Sequence, residues 1–439
     1  MDSCLNRWPV VAPGPLLVAA VLCSAALLFP AVLIAADATP YGESFVRLTA
    51  PPDGRGEPAS RSPAEMPATP GAGASYREQL DQLELAGGPY AYTLAEPLAD
   101  LARLSQQNGD IAAAQRLYER ALHVVRINEG LYSEQQVPIL QQLFASYRQA
   151  GDMETLDGRY DYFFRLYGGG KPPYTALRLN AALEYMRWQR EALLIGLGGG
   201  GAARLMALFD LNQQVLDLAA RDPAVSESSY RALVLSQLRN LYLVQDRHRP
   251  ALEDASAPPI SLGAAGWTQQ DINEHRLQSI QRKAISRGRE LLQELIDRTP
   301  ASQPVELASI YLELADWNQW NDRRADALAA YTQVAELLQQ ADRPALLNDW
   351  LGAPQELPAN GAFLRPAAAL EEGAVMQARF EVSTEGRALN ILVSAAGEAD
   401  EGKAGRFRRA LSRVRFRPSY IGGDPAEQLQ LSRDYLLFK

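Results

Sequence analysis

LADLARLSQQNGDIAAAQRLYERAL, residues 98–122, decides how the rest of the chain is read. Apolar side chains recur three and four positions apart on both sides of Gly109-Asp110: Leu98, Leu101 and Ala102 before it, Ala114, Tyr118, Ala121 and Leu122 after it. That spacing gathers each set on one face of a helix. Gly-Asp makes the turn between them, and the small alanines of the second helix allow a close approach to the first. The stretch predicts a helical hairpin.

The pattern returns when the chain is shifted by 42 residues. Leu98, Leu101, Ala102 and Ser105 map to Leu140, Leu143, Phe144 and Tyr147, and Gly109-Asp110 maps to Gly151-Asp152. Ala114, Tyr118, Ala121 and Leu122 map to Leu156, Tyr160, Phe163 and Phe164. A period in this range marks stacked supersecondary units. Leu156 and Phe163 replace small packing residues, so the helices of the second unit are expected to sit further apart, or to end a local stack. Residues 311–338 repeat the pattern more weakly, through Tyr311, Leu314, Ala315, Ala327, Tyr331 and Val334. Between these units, residues 177–195, 202–221, 228–246 and 269–298 carry helical periodicity with degenerate repeat positions.

These residues resemble the tetratricopeptide repeat, in the longer variety whose helices extend beyond the usual unit. The resemblance implies a helical solenoid that holds another protein on its concave side. Asp100, Arg103, Gln106, Gln141, Gln142 and Arg148 point away from the packing face and would line that side. The Lys and Asn clamp of co-chaperone repeats is absent, its places being taken by Ala99, Arg103, Gln141 and Ala145.

Beyond residue 366 the period changes. Residues 374–382 and 388–393 read as strands around a Thr384-Glu385-Gly386 turn, residues 403–414 as a helix, and residues 429–438 as a closing strand. The order predicts one helix packed on an antiparallel sheet. With Phe416-Arg417-Pro418 and Gly422-Gly423 before the last strand, residues 373–439 resemble the C-terminal domain of TonB-type energy transducers. The fold class expected is therefore mainly α: a tetratricopeptide-like array over 76–350, a linker over 351–372 and a small α+β domain over 373–439.

At the other end, Arg7 is the only cation before an uncharged run over 10–36. Residues 16–36 are apolar enough, as a helix, to cross about 30 Å of hydrocarbon. Ala36-Asp37-Ala38 offers a small-x-small cleavage signal that favours removal, while the length of the run and Pro30 leave retention as a membrane anchor open. Residues 1–38 are thus an export signal or anchor. Residues 39–75 are expected to be a disordered linker, on account of the Pro-, Gly-, Ala- and Ser-rich residues 51–74.

The chemistry expected is binding without catalysis. The chain has 439 residues and a formal net charge of -9, which argues against a nucleic-acid partner. Both cysteines, Cys4 and Cys23, lie in the leader, and the three histidines are far apart in sequence, so no metal site is expected. Gly196, Gly198 and Gly201 satisfy G-x-G-x-x-G, but a helical pattern precedes them where a nucleotide fold needs a strand. No cofactor is expected. Residues 403–417 hold seven Lys and Arg and no acid, a face open to an anionic partner or simply to solvent. The reading that follows is an exported envelope scaffold for a protein partner, with a TonB-like docking module. The alternative is a TonB-like transducer, which requires a retained leader and contact with an outer-membrane transporter.

Overall fold

The two Gly-Asp turns are one structure met twice. In a computed structural model, which describes residues 39–41, 45–48, 72–199, 201–246, 269–365, 374–395, 401–421 and 424–437, Gly109 and Gly151 both hold left-handed φ, at +83° and +71°. The aspartate after each glycine caps the next helix: Asp110 accepts from the Ala113 amide at 3.0 Å and Asp152 from the Thr155 amide at 3.1 Å. Helices therefore stop and start where the sequence places them. The first hairpin is α2 (Ala95–Gln107) with α3 (Ile111–Glu129), preceded by α1 (Ala72–Gly87); the second is α4 (Gln136–Ala150) with α5 (Met153–Leu166). Then follow α6 (Ala176–Leu194), α7 (Gly201–Ala219), α8 (Glu227–Asp246), α9 (Gln269–Arg298), α10 (Pro304–Trp320), α11 (Arg324–Gln340) and α12 (Pro344–Leu351). The glycines at 196–201 join α6 to α7, so no strand precedes them.

Most of the predicted core positions are buried, including Leu98, Ala114, Tyr118 and their 42-residue counterparts Leu140, Leu156 and Tyr160, while Ser105, Phe164, Tyr311 and Leu314 are half-buried. Large rings fill the second unit: Phe144 lies 4.4 Å from Tyr160, which stacks at 5.0 Å on Trp188 of α6. The backbones of α4 and α5 lie in looser contact than those of α2 and α3, as bulky replacements for alanine require. The stack does not end there, because α5 packs on α6.

Closer packing occurs between α9 and α10. A Cβ on Gly288 would lie 2.3 Å from Cε2 of the fully buried Trp317, whose indole donates to the Ile285 carbonyl at 3.1 Å. Alanine in place of a mid-helix glycine normally gains about 1 kcal/mol of helix propensity. Here the overlap costs about 1–3 kcal/mol. Gly288→Ala is therefore expected to lower the denaturant midpoint, and a raised midpoint would contradict this packing.

The sheet draws on both ends of the described chain. Strands β1 (Thr39–Tyr41), β2 (Phe45–Leu48), β4 (Ala374–Val382), β5 (Ala388–Ala395) and β9 (Gln428–Leu437) form one antiparallel sheet in the order β1-β2-β9-β4-β5. Burial alternates along β4, with Met376, Ala378, Phe380 and Val382 inward. Helix α13 (Glu401–Leu411) covers the sheet with Phe407, which meets Phe45 at 5.0 Å and Tyr435 at 5.2 Å. Two shorter ladders pair β3 (Gln355–Glu356) with β6 (Phe416–Arg417) and β7 (Ser419–Ile421) with β8 (Asp424–Ala426).

Two linker expectations are corrected by these contacts. Residues 39–75 include β1, β2 and the start of α1; Phe45 and Val46 are buried, and β2 pairs with β9 from Phe45↔Leu437 to Leu48↔Asp434. Residues 351–372 include β3 and the buried Leu357, Ala362 and Phe363. Buried Glu356 accepts from Arg433 Nη1 and from the Tyr435 hydroxyl, each at 2.6 Å, tying this segment to β9. One hydrophobic core runs from α6 to α10 and on into the sheet, so helices and sheet are not joined by a loose tether. The leader, residues 51–70 and residues 250–266 lie outside the described residues. Among those described, no helix is long and apolar enough to cross a membrane.

Candidate partner-binding groove

The six residues expected on the binding side do not share one role. Asp100 and Arg103 are partly exposed on α2 and pair with each other at 2.7 Å. Gln106 accepts from the Tyr118 hydroxyl at 3.2 Å and donates to Gln149 at 3.0 Å. Gln141 and Gln142 are exposed on α4. Arg148 differs: it ion-pairs with buried Glu191, donates to the Tyr160 hydroxyl at 3.2 Å and lies 5.0 Å above the Trp188 ring. Burial opposes its charge most, but Glu191 and Tyr160 together outweigh burial and raise its pKa. Arg148 is a clip between α4, α5 and α6, and its contacts are spent inside the protein.

The 42-residue shift continues into α6 and shows what the second unit passes on. Two such shifts carry Asp100 and Arg103 to Glu184 and Arg187, again a pair three residues apart, at 3.6 Å, whereas one shift meets Gln142 and Ala145. Gln106 and Arg148 are followed in the same series by Arg190. Leu183, Glu184, Arg187 and Arg190 then line, together with Gln141, a recess of about 620 Å³. Its opposite side is α8, through Ala232, Leu235, Ser236 and Arg239, and its far wall is the segment 360–364. The groove thus runs over the first helix of each pair, from α4 through α6 to α8.

Arg190 is 5% exposed and donates through Nη1 to Ser236 Oγ at 3.0 Å and Asn240 Oδ1 at 3.1 Å. Burial, joined by repulsion from Arg239, lowers its pKa to about 9. Arg239 donates Nε to the Asn360 carbonyl at 2.7 Å, and burial lowers its pKa as well. Asn360 in turn donates to Glu313 at 3.0 Å and accepts from the Ala362 amide at 3.2 Å, which fixes the wall. One more step of the repeat from Arg148 reaches Arg190. Nothing local in the sequence announces Arg239 or the 360–364 wall, because both arrive through tertiary contacts.

The basic stretch divides. Arg415 pairs with Asp322 at 2.7 Å and Arg417 with Asp316 at 2.5 Å. Lys403, Arg406, Arg408, Arg409 and Arg413 form no ion pair among the described residues. Arg417, the centre of the Phe-Arg-Pro motif, is therefore an internal anchor of the sheet to α10. No group of three or more His, Cys, Asp or Glu among the described residues could hold a metal ion. No protein-family model matches the chain, and no curated protein is significantly similar to it.

Proposed function

We propose that this chain is an exported cell-envelope scaffold whose helical array, tetratricopeptide-like in its repeat, holds a segment of another protein along the α4–α6–α8 groove. The observation that carries the reading is the groove itself, to which the first helices of successive pairs contribute polar side chains: Gln141 from α4, Glu184 and Arg187 from α6, and Arg239 from α8. A lining of this kind suits an extended chain lying across successive units. The terminal sheet, TonB-like in its motif order, would dock or position the assembly. Export is supported by the composition of the leader, with its uncharged run over 10–36 and the small-x-small signal at Ala36-Asp37-Ala38.

The test is capture from envelope extract with the purified exported protein as bait. Charge reversal at Arg103 and Arg187, both partly exposed, is expected to spare the circular dichroism spectrum and to reduce recovery of the partner at least tenfold. Undiminished recovery by the doubly reversed protein would remove the groove from consideration. Arg148 is not used as a probe, since reversing it would strand Glu191 inside the protein.

A further inference from the structure

Two arginines in the groove form no ion pair with any acid among the described residues. Arg190 donates only to neutral acceptors, and Arg239 to a backbone carbonyl. The neighbouring acids act on them only through space and are engaged elsewhere: Glu191 beside Arg190 pairs with Arg148 and Arg187, Glu184 pairs with Arg187, and Glu313 beside Arg239 accepts from Asn360. The repeat sharpens the anomaly. At the equivalent place the first unit has neutral Gln106 and the second has Arg148 with its own glutamate, whereas the third has a buried guanidinium alone. A buried cation without a carboxylate is costly, and glutamine would serve packing there as it does at position 106.

The recess also has an apolar side. Leu183 and Leu235 face it from α6 and α8, and Leu364 from the wall, which turns at Gly361 with φ +77°. About 620 Å³ holds a side chain or two rather than a lone ion. We propose that this recess binds a carboxylate carried beside a branched apolar group, as on an acidic, leucine-bearing segment of the partner. The carboxylate pairs with Arg190 and Arg239, and the apolar group lies on Leu183, Leu235 and Leu364. Phosphate, a dianion, suits the site less well because Glu184 lines it too. Only the origin of the carboxylate in a partner protein rests on the scaffold reading; the recess itself is testable without a partner.

The probes are 4-methylpentanoate, acetate and inorganic phosphate, each added to the whole protein against sodium chloride at matched ionic strength, with thermal unfolding as the readout. Bound ligand stabilises the native state by mass action. For a chain of this size, 4-methylpentanoate at ten times its Kd is expected to raise Tm by about 2 °C, saturably and at lower concentration than acetate. Arg190→Gln, which keeps a donor for Ser236 and Asn240, is expected to lose that response. Ala232→Glu, which supplies a carboxylate from α8 itself, is expected to melt above the parent and to ignore the acid. Should Arg190→Gln fail to fold, Ala232→Glu carries the comparison. Equal responses in parent and variants, no response to the branched acid, or a response to phosphate in its place would each overturn the assignment. Partner capture can fail while the acid titration succeeds, and the reverse, so the two readings fall separately.

Discussion

Replacing Asp316 by alanine is expected to lower the unfolding free energy by about 3–5 kcal/mol, the cost of leaving a buried ion pair half made. The pair joins the helical part to the sheet. Arg417 on β6 donates Nε to Asp316 Oδ1 at 2.9 Å and Nη2 to Oδ2 at 2.5 Å, a two-pronged contact, while its Nη1 donates to the Trp350 carbonyl at 2.8 Å. Asp316 also accepts from the Tyr331 hydroxyl at 2.8 Å. Both partners are under a tenth exposed. Burial opposes the Arg417 charge most, and Asp316, with smaller contributions from Tyr331 and Glu313, outweighs it and raises the guanidinium pKa. Alanine would leave that guanidinium facing the Tyr331 hydroxyl with no counter-charge. Equilibrium unfolding in urea measures the loss, and a loss below about 1 kcal/mol would show the pair to be incidental. Asp316→Leu combined with Arg417→Met is expected to recover much of it, because the desolvation of both charges then disappears together.

The second large effect is expected at Ala114→Arg. Ala114 is fully buried on α3, in the core that contains Leu98, Leu101, Ala102, Tyr118 and Ala121. A guanidinium there is both oversized and unpaired, and the two penalties together are expected to exceed about 4 kcal/mol. That core, formed by α1 to α6, is separate from the one shared by the later helices and the sheet. Circular dichroism melting should therefore show the N-terminal helices lost first, with residual helicity from α8 to α11. Arg103→Glu on the opposite face of α2 is the control, expected within about 0.5 kcal/mol of the parent. If Ala114→Arg melted with the parent, the repeat packing described above would be wrong.

Element positions were legible in the sequence because they depend on short-range periodicity and turn chemistry. The expected strand over 374–382 coincides with β4, and the helical pattern over 269–298 with α9. The Gly-Asp turns fall where two residues alone dictate them, through a left-handed glycine and a capping aspartate. Of the groove residues, Asp100, Arg103, Gln141 and Gln142 remain toward solvent, as helix periodicity requires. Arg148 does not, because its partner Glu191 lies 43 residues away on another helix. Periodicity tells which way a side chain leaves its helix and says nothing of what waits there.

The sequence by itself determined the long helices and the strands over 374–382, 388–393 and 429–438, the return of the first hairpin pattern after 42 residues, and most of the positions that pack. Those properties are fixed by neighbours three, four or two positions apart along the chain. Only the tertiary structure decided that Phe45–Leu48 completes a sheet built mainly from the last 70 or so residues. It alone decided that Arg417 meets Asp316, 101 positions before it, while Arg190 donates to Ser236 and Asn240 and forms no ion pair among the described residues. A buried charge is settled by whichever groups the fold brings within a few ångströms, and that distance is not a function of separation along the chain.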